Sequence, residues 1–86
     1  MKKPPAAHPG KVLLEQFLKR YGLSQNALAR EIGVPPRRIN EIILGKRGIT
    51  ADTALRLAKR FRNTPLYWMG LQAAFDLEQA RKELTS

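Results

Sequence analysis

The chain has 86 residues, room for one small domain and a modest core. It contains no cysteine, which excludes a disulfide framework, thiol chemistry and cysteine metal sites. Sixteen Lys and Arg against seven Asp and Glu leave a net charge of +9, a sign that favours DNA or RNA as partner, with an anionic membrane surface second. The excess is uneven: Lys11 to Arg62 holds twelve basic and four acidic side chains, net +8, whereas Asn63 to Ser86 holds two basic and three acidic, net −1. The basic field therefore belongs to the body of the chain. No stretch approaches the ~18 apolar residues of a membrane span. The opening MKKPPAAHPG has lysines but no apolar run behind them, so a secretory signal is not expected and the chain reads as cytoplasmic.

In chain order, residues 1–9 are rich in proline, alanine and lysine and read as a flexible arm that includes His8; residues 10–86 form the domain. Leu13, Leu14, Phe17, Leu18 and Tyr21 make a helical stripe closed by Gly22. Ser24 caps a second helix whose inner face is Leu28, Ala29 and Ile32, ended by Gly33. A third begins at Pro35 and Pro36 and buries Ile39, Ile42 and Ile43 before Gly45. Thr50 caps a fourth, with Ala54, Leu57, Ala58 and Phe61 inward, and Thr64 with Pro65 opens a fifth over about 65–83. No segment alternates as a strand would. The expectation is an all-α domain of five helices.

The fifth helix, LYWMGLQAAFDL at 66–77, is apolar around most of its circumference. Leu71, Ala74 and Phe75 can face its own domain, which leaves some of Leu66, Trp68, Met69, Ala73 and Leu77 to face elsewhere. A chain this small has little mass to cover such a helix on all sides. Trp68, Met69, Leu71, Phe75 and Leu77 are therefore expected on a dimer or partner helix, the alternative being that they close one small core.

Helices two and three carry the functional signal. Ala29 precedes Gly33 by four residues and Val34 follows at once, with Leu28, Ile39 and Ile42 on either side. Two helices crossing steeply over a short turn need a small residue at the close approach, a glycine at the turn and an apolar plug. These six residues describe a helix-turn-helix over about 24–44. Proline presets φ for the first turn, so the third helix starts sharply at Pro36. With the isoleucines inward, Arg37 and Glu41 point outward, flanked by Asn40 on one side and Arg38 on the other. Arg37, Arg38, Asn40 and Glu41 are thus candidates to read base edges: Arg to guanine, Asn to adenine, Glu to cytosine. Neither proline offers an N–H to phosphate, so Gln25, Lys46 and Arg47 are the candidate phosphate contacts. The competing reading is a solvated face on which Arg37 and Glu41 pair at i, i+4.

LSQNALAREIGVPPRRINEIILGKRGIT resembles the phage-repressor-type (XRE) helix-turn-helix, in which a glutamine placed like Gln25 clamps a phosphate. The continuation TADTALRLAKRFRNTPLYWMGLQAAFDLEQA is similar to the HigA/VapI antitoxins of bacterial toxin–antitoxin modules. Their pattern RINEI, GKR, IT, DTALRLA and W-x-x-LQ is met at Arg38–Ile42, Gly45–Arg47, Ile49–Thr50, Asp52–Ala58 and Trp68–Gln72. The resemblance covers about residues 8–81. It implies a homodimeric repressor that binds double-stranded operator DNA of its own operon and neutralises a HigB-type ribonuclease toxin. The chain departs from the family at Met69-Gly70, where Leu-Asn is common, and at Arg62, where a glycine often ends the fourth helix.

Other functions fit less well. The only histidine, His8, falls in the proline-rich arm, the carboxylates are spread singly, and neither a phosphate-cradling glycine loop nor a metal-ligand cluster is present. No enzyme, cofactor or metal is expected. Sequence-specific RNA readers stack bases on exposed aromatics, and the six aromatics here fall at core or fifth-helix positions. A free-standing repressor without a toxin is the remaining alternative.

Overall fold

A computed structural model describes residues 6–85 of the chain. Helix α1 is continuous but changes its winding, with an α-helical turn Pro9–Val12, a π-helical stretch Leu13–Leu18 and a closing turn Lys19–Tyr21. The remaining helices are α2 (Gln25–Ile32), α3 (Pro36–Ile43), α4 (Ala51–Phe61) and α5 (Pro65–Thr85). The five helices expected from the sequence are all present.

Their ends are set locally. Ser24 Oγ accepts the Ala27 N–H at 3.0 Å to open α2, and Thr50 Oγ1 accepts the Thr53 N–H at 3.4 Å to open α4. Gly22 and Gly33 close α1 and α2 in the left-handed conformation. At the end of α4 the same conformation falls on Arg62, with φ of 57°.

The π-helical stretch explains which side of α1 is buried. Five residues apart on an α-helix is about 140° around the axis, yet Leu13 and Leu18 are both buried. Bonds from i to i+5 bring that spacing into register. The change of phase also turns the last residue of the expected stripe outward: Tyr21 is 55% exposed.

The core is one cluster. Leu13 and Leu18 of α1 meet Leu28, Ala29 and Ile32 of α2, Ile39 and Ile42 of α3, and Ala54, Leu57 and Ala58 of α4, with Trp68 of α5 fully enclosed. Around Trp68 the aromatics gather: the Phe17 ring lies 4.9 Å from Trp68 and 4.8 Å from Phe61, an arrangement favourable beyond the area it buries. Trp68 Nε1 donates to Asn63 Oδ1 at 2.8 Å, so its one polar atom is satisfied. This corrects the placement of Trp68 on a partner surface. The tryptophan belongs to the monomer's own core, because the turn at Asn63–Thr64 folds the first turn of α5 back over α1 and α4.

The arm expected at 1–9 is also corrected at its end; residues 1–5 lie outside the described residues. Pro9 is buried as the first residue of α1. His8 Nδ1 accepts the Gly10 N–H at 2.9 Å as the helix cap, and its ring meets Phe75 edge-on at 4.9 Å. Burial lowers the pKa of His8 below the ordinary value, partly opposed by the carboxylate of Asp76. A proline-rich composition suggested an arm, but Pro at the first helical position and a side-chain acceptor before it start a helix.

Candidate nucleic-acid interface

The turn between α2 and α3 spans Gly33 to Pro35. Gly33 takes φ of 75°, Val34 N–H donates to the Ala29 carbonyl at 3.0 Å, and Val34 is buried as the plug of the joint. Pro35 is extended and Pro36 begins α3. A cation secures the joint from behind: Arg56 Nη1 donates to the Ile32 carbonyl at 2.8 Å, while its Nε holds Asp52 Oδ2 at 3.0 Å. Positive charge at the open carbonyls of a helix end is favourable. Sequence reasoning gave Arg56 no role, and its spacing of four from Asp52 was the only signal for it.

The candidate reading residues lie as follows. Arg37, with its side chain 85% exposed, stands 3.5 Å from Glu41. Asn40 is exposed, and its Nδ2 donates to Gln25 Oε1 at 3.2 Å across the joint of the two helices. A candidate phosphate contact and a candidate base reader are therefore neighbours. Arg38 is turned toward α4, where Nη1 meets Asp52 Oδ2 at 3.0 Å. Glu41, whose side chain is only 26% exposed, takes two cations: Arg37 from its own helix and Arg47 Nη2 at 2.9 Å from the turn beyond it. The i, i+4 pair is thus present together with the outward face, so the two readings of that face are compatible.

Lys46 and Arg47 sit on the turn after α3, which Gly45 bends with φ of 76°. That turn is anchored from α5. Gln72 Oε1 accepts the Ile49 N–H at 2.7 Å, Gln72 Nε2 donates to Asp76 at 2.9 Å, and Gly48 is packed so closely beneath Gln72 that a Cβ there would crowd its amide. Sequence reasoning quoted Gln72 only as part of a motif; its spatial partner is 23 residues away.

The candidate partner residues of α5 separate. Met69, Leu71 and Phe75 are half-buried, and Leu77 is 71% exposed. The exposed apolar face instead runs Leu66, Gly70, Ala73, Leu77, Ala80, Leu84. These positions alternate spacings of four and three, the spacing that suits one helix to pack against another. Leu84 and Ala80 were missed although the spacing is visible in the sequence. They lie beyond the continuous apolar run at 66–77.

Among the described residues no helix is long and apolar enough to cross a membrane. The family model described as helix-turn-helix matches residues 14–69. Virulence-associated protein I of Dichelobacter nodosus is 50% identical over 82 residues, spanning 95% of this chain and 76% of that protein. The solved structure of antitoxin GraA superposes with a TM-score of 0.90 at 42% identity, over 94% of this chain and 87% of that one. The Pseudomonas aeruginosa antitoxin HigA, solved with the higBA promoter, gives 0.88 at 37% identity, over 91% and 85%. The chain belongs to the helix-turn-helix family, in its HigA/VapI antitoxin branch.

Proposed function

We propose that the protein is the antitoxin of a toxin–antitoxin module: a cytoplasmic dimer that represses its own operon by binding operator DNA and holds a HigB-type ribonuclease inactive. The observation that carries the DNA half is the contact of Gln25 with Asn40 across the α2–α3 joint, on a helix whose Arg37 stands exposed one turn away. In a chain similar to an antitoxin solved with its promoter, that helix is the one to enter the major groove. Arg37 suits the O6 and N7 acceptors of guanine and Asn40 the N6 and N7 pair of adenine. Gln25, Lys46 and Arg47 hold the phosphates on either side and fix the register. One such helix contacts too few bases for high specificity, so two copies act on half-sites about 34 Å apart. The 4-3 seam of α5 is the surface that joins them.

The toxin half follows from family and charge. A basic ribonuclease is repelled by the +8 body. With the seam engaged in the dimer, the candidate surfaces to receive it are the acidic end of α5 around Asp76, Glu78 and Glu83 and the N-terminal segment 1–9.

Two measurements test this reading. A gel-shift titration on the upstream fragment should lose affinity steeply with salt, by several log units per log unit for the 6–10 contacts of roughly this many side chains on two copies. Co-expression with the neighbouring gene product should restore growth. A flat salt response, or no binding to the fragment, refutes the DNA role; failure both to rescue growth and to co-purify refutes the antitoxin role.

A further inference from the structure

We propose that Glu41 is a specificity-determining residue that restrains two DNA-facing arginines, rather than a reader of cytosine; the proposal rests on α3 being the helix that meets DNA. One carboxylate faces two guanidinium groups from different elements. Glu41 Oε2 stands 3.5 Å from Arg37 Nε in the first turn of α3, and Oε1 stands 2.9 Å from Arg47 Nη2 and 3.1 Å from Arg47 Nε on the following turn. Its backbone is engaged with the same turn, since the Glu41 carbonyl accepts the Lys46 N–H at 2.8 Å. The side chain is 26% exposed against 85% for Arg37. The acid is set back against the protein while the arginine stands forward. A reader would show the opposite order.

The chemistry of the two possible partners of Arg37 decides what this restraint does. Sequence-independent affinity grows with the number of cations delivered to phosphates. An arginine held by a carboxylate must leave that pair to make a single phosphate contact, and the exchange returns little. A guanine offers two acceptors in the fork geometry of the guanidinium, so a cognate base draws Arg37 away where a bare phosphate does not. The carboxylate also faces the polyanion wherever the protein lands. The restraint on Arg37 weakens binding to arbitrary duplex more than binding to the operator, whereas the charge of the carboxylate weakens both alike. A second acid repeats the arrangement, Asp52 holding Arg38 and Arg56 each at 3.0 Å. Three of the four basic residues on and just after α3 are therefore paired with a carboxylate.

The test uses Glu41→Gln in the full chain, with its folding checked by thermal melt, on a 30-bp random-sequence duplex and on the upstream fragment. Affinity for the random duplex should rise about three- to tenfold, the range expected for freeing one or two exposed ion pairs. Its salt slope should steepen by about one unit. Affinity for the upstream fragment should rise less, so that the specificity ratio falls. Repeating the substitution in an Arg37→Ala, Arg47→Ala background should abolish most of the rise. An unchanged random duplex, or a loss confined to the upstream fragment, overturns the proposal, the latter in favour of base reading. A rise that persists undiminished without the two arginines also overturns it, because Glu41 would then act as a bare charge. If the parent chain shows no preference for the upstream fragment, the operator assignment fails by itself, and the random-duplex arm still reports on Glu41.

Discussion

Gly10 lies so close to Ile42 that a Cβ on it would overlap the Ile42 carbonyl oxygen. Through this contact the first turn of α1 is seated on the C-terminal end of the recognition helix, two elements 32 residues apart in sequence. Gly10 is needed for space, not for an unusual backbone angle. Its neighbour His8 caps the same turn and stands 4.0 Å from where a Cβ on Gly45 would be, so the start of α1 also borders the turn that carries Lys46.

Gly10→Ala should therefore push α1 and α3 apart, since the opposing atoms are backbone and cannot rotate away. Overpacking of this kind costs about 2 kcal/mol or more, equivalent to a fall of roughly 10 °C in Tm for a domain of this size. Operator affinity should fall further than stability alone explains, because the displaced element is α3. Thermal denaturation and a gel shift below the melting range check the two parts.

The cap itself gives a pH dependence. Burial lowers the pKa of His8, opposed in part by Asp76, and its Nδ1 must be unprotonated to accept the Gly10 N–H. Its pKa is lower folded than unfolded, so the unfolded chain takes up the proton first as pH falls. Stability is full above the ordinary value of 6.5, declines as pH drops through that value, and levels off below the lowered folded pKa. His8→Asn keeps a capping acceptor and should flatten the melting temperature between about pH 5.5 and 7.5. An equal slope in both proteins would show that the cap does not titrate.

Trp68 and Leu77 should behave oppositely. Trp68→Ala empties the centre of the aromatic cluster at about 3–5 kcal/mol, a large part of the stability of any small domain. Leu77→Glu, at 71% exposure, should leave the helical circular dichroism intact while light scattering shifts from dimer toward monomer and operator affinity drops. A dimer unaffected by charge at Leu77 would move the interface off the 4-3 seam.

Arg62 closes α4 with φ of 57°, a conformation that costs a side-chain-bearing residue roughly 1–2 kcal/mol. Glycine adopts it freely but loses about 0.5–1 kcal/mol in the unfolded chain. Arg62→Gly should thus stabilise by about 0.5–1 kcal/mol, read as a higher midpoint in urea with an unchanged slope. Its place by Leu55, Lys59 and Arg60, beyond the far end of α2 from Gln25, means DNA affinity should change little.

What the sequence determined by itself were the features whose causes lie within a few residues. Ser24 and Thr50 bond to amides three positions on, Gly22 and Gly33 supply the left-handed turn, and the apolar period selects the inner faces of α2, α3 and α4. The helix-turn-helix was legible for the same reason: its two helices and its joint fit within about twenty residues. Where an outcome depended on which segments meet, the tertiary structure decided it. A helical wheel gives the direction of Arg38 and Glu41 but not that Asp52 and Arg47 wait there. Nor does it show that Gln25 and Asn40, 15 residues apart, become neighbours. Along α5 nearly every direction is apolar, so the sequence could not choose between core and seam; packing against Phe17 and Phe61 chose Trp68 for the core and left Leu66, Leu77 and Leu84 outside. His8 joined the domain because burying Pro9 and fitting Gly10 beneath Ile42 requires the chain before them to be in place, a constraint set by a contact that local sequence does not encode.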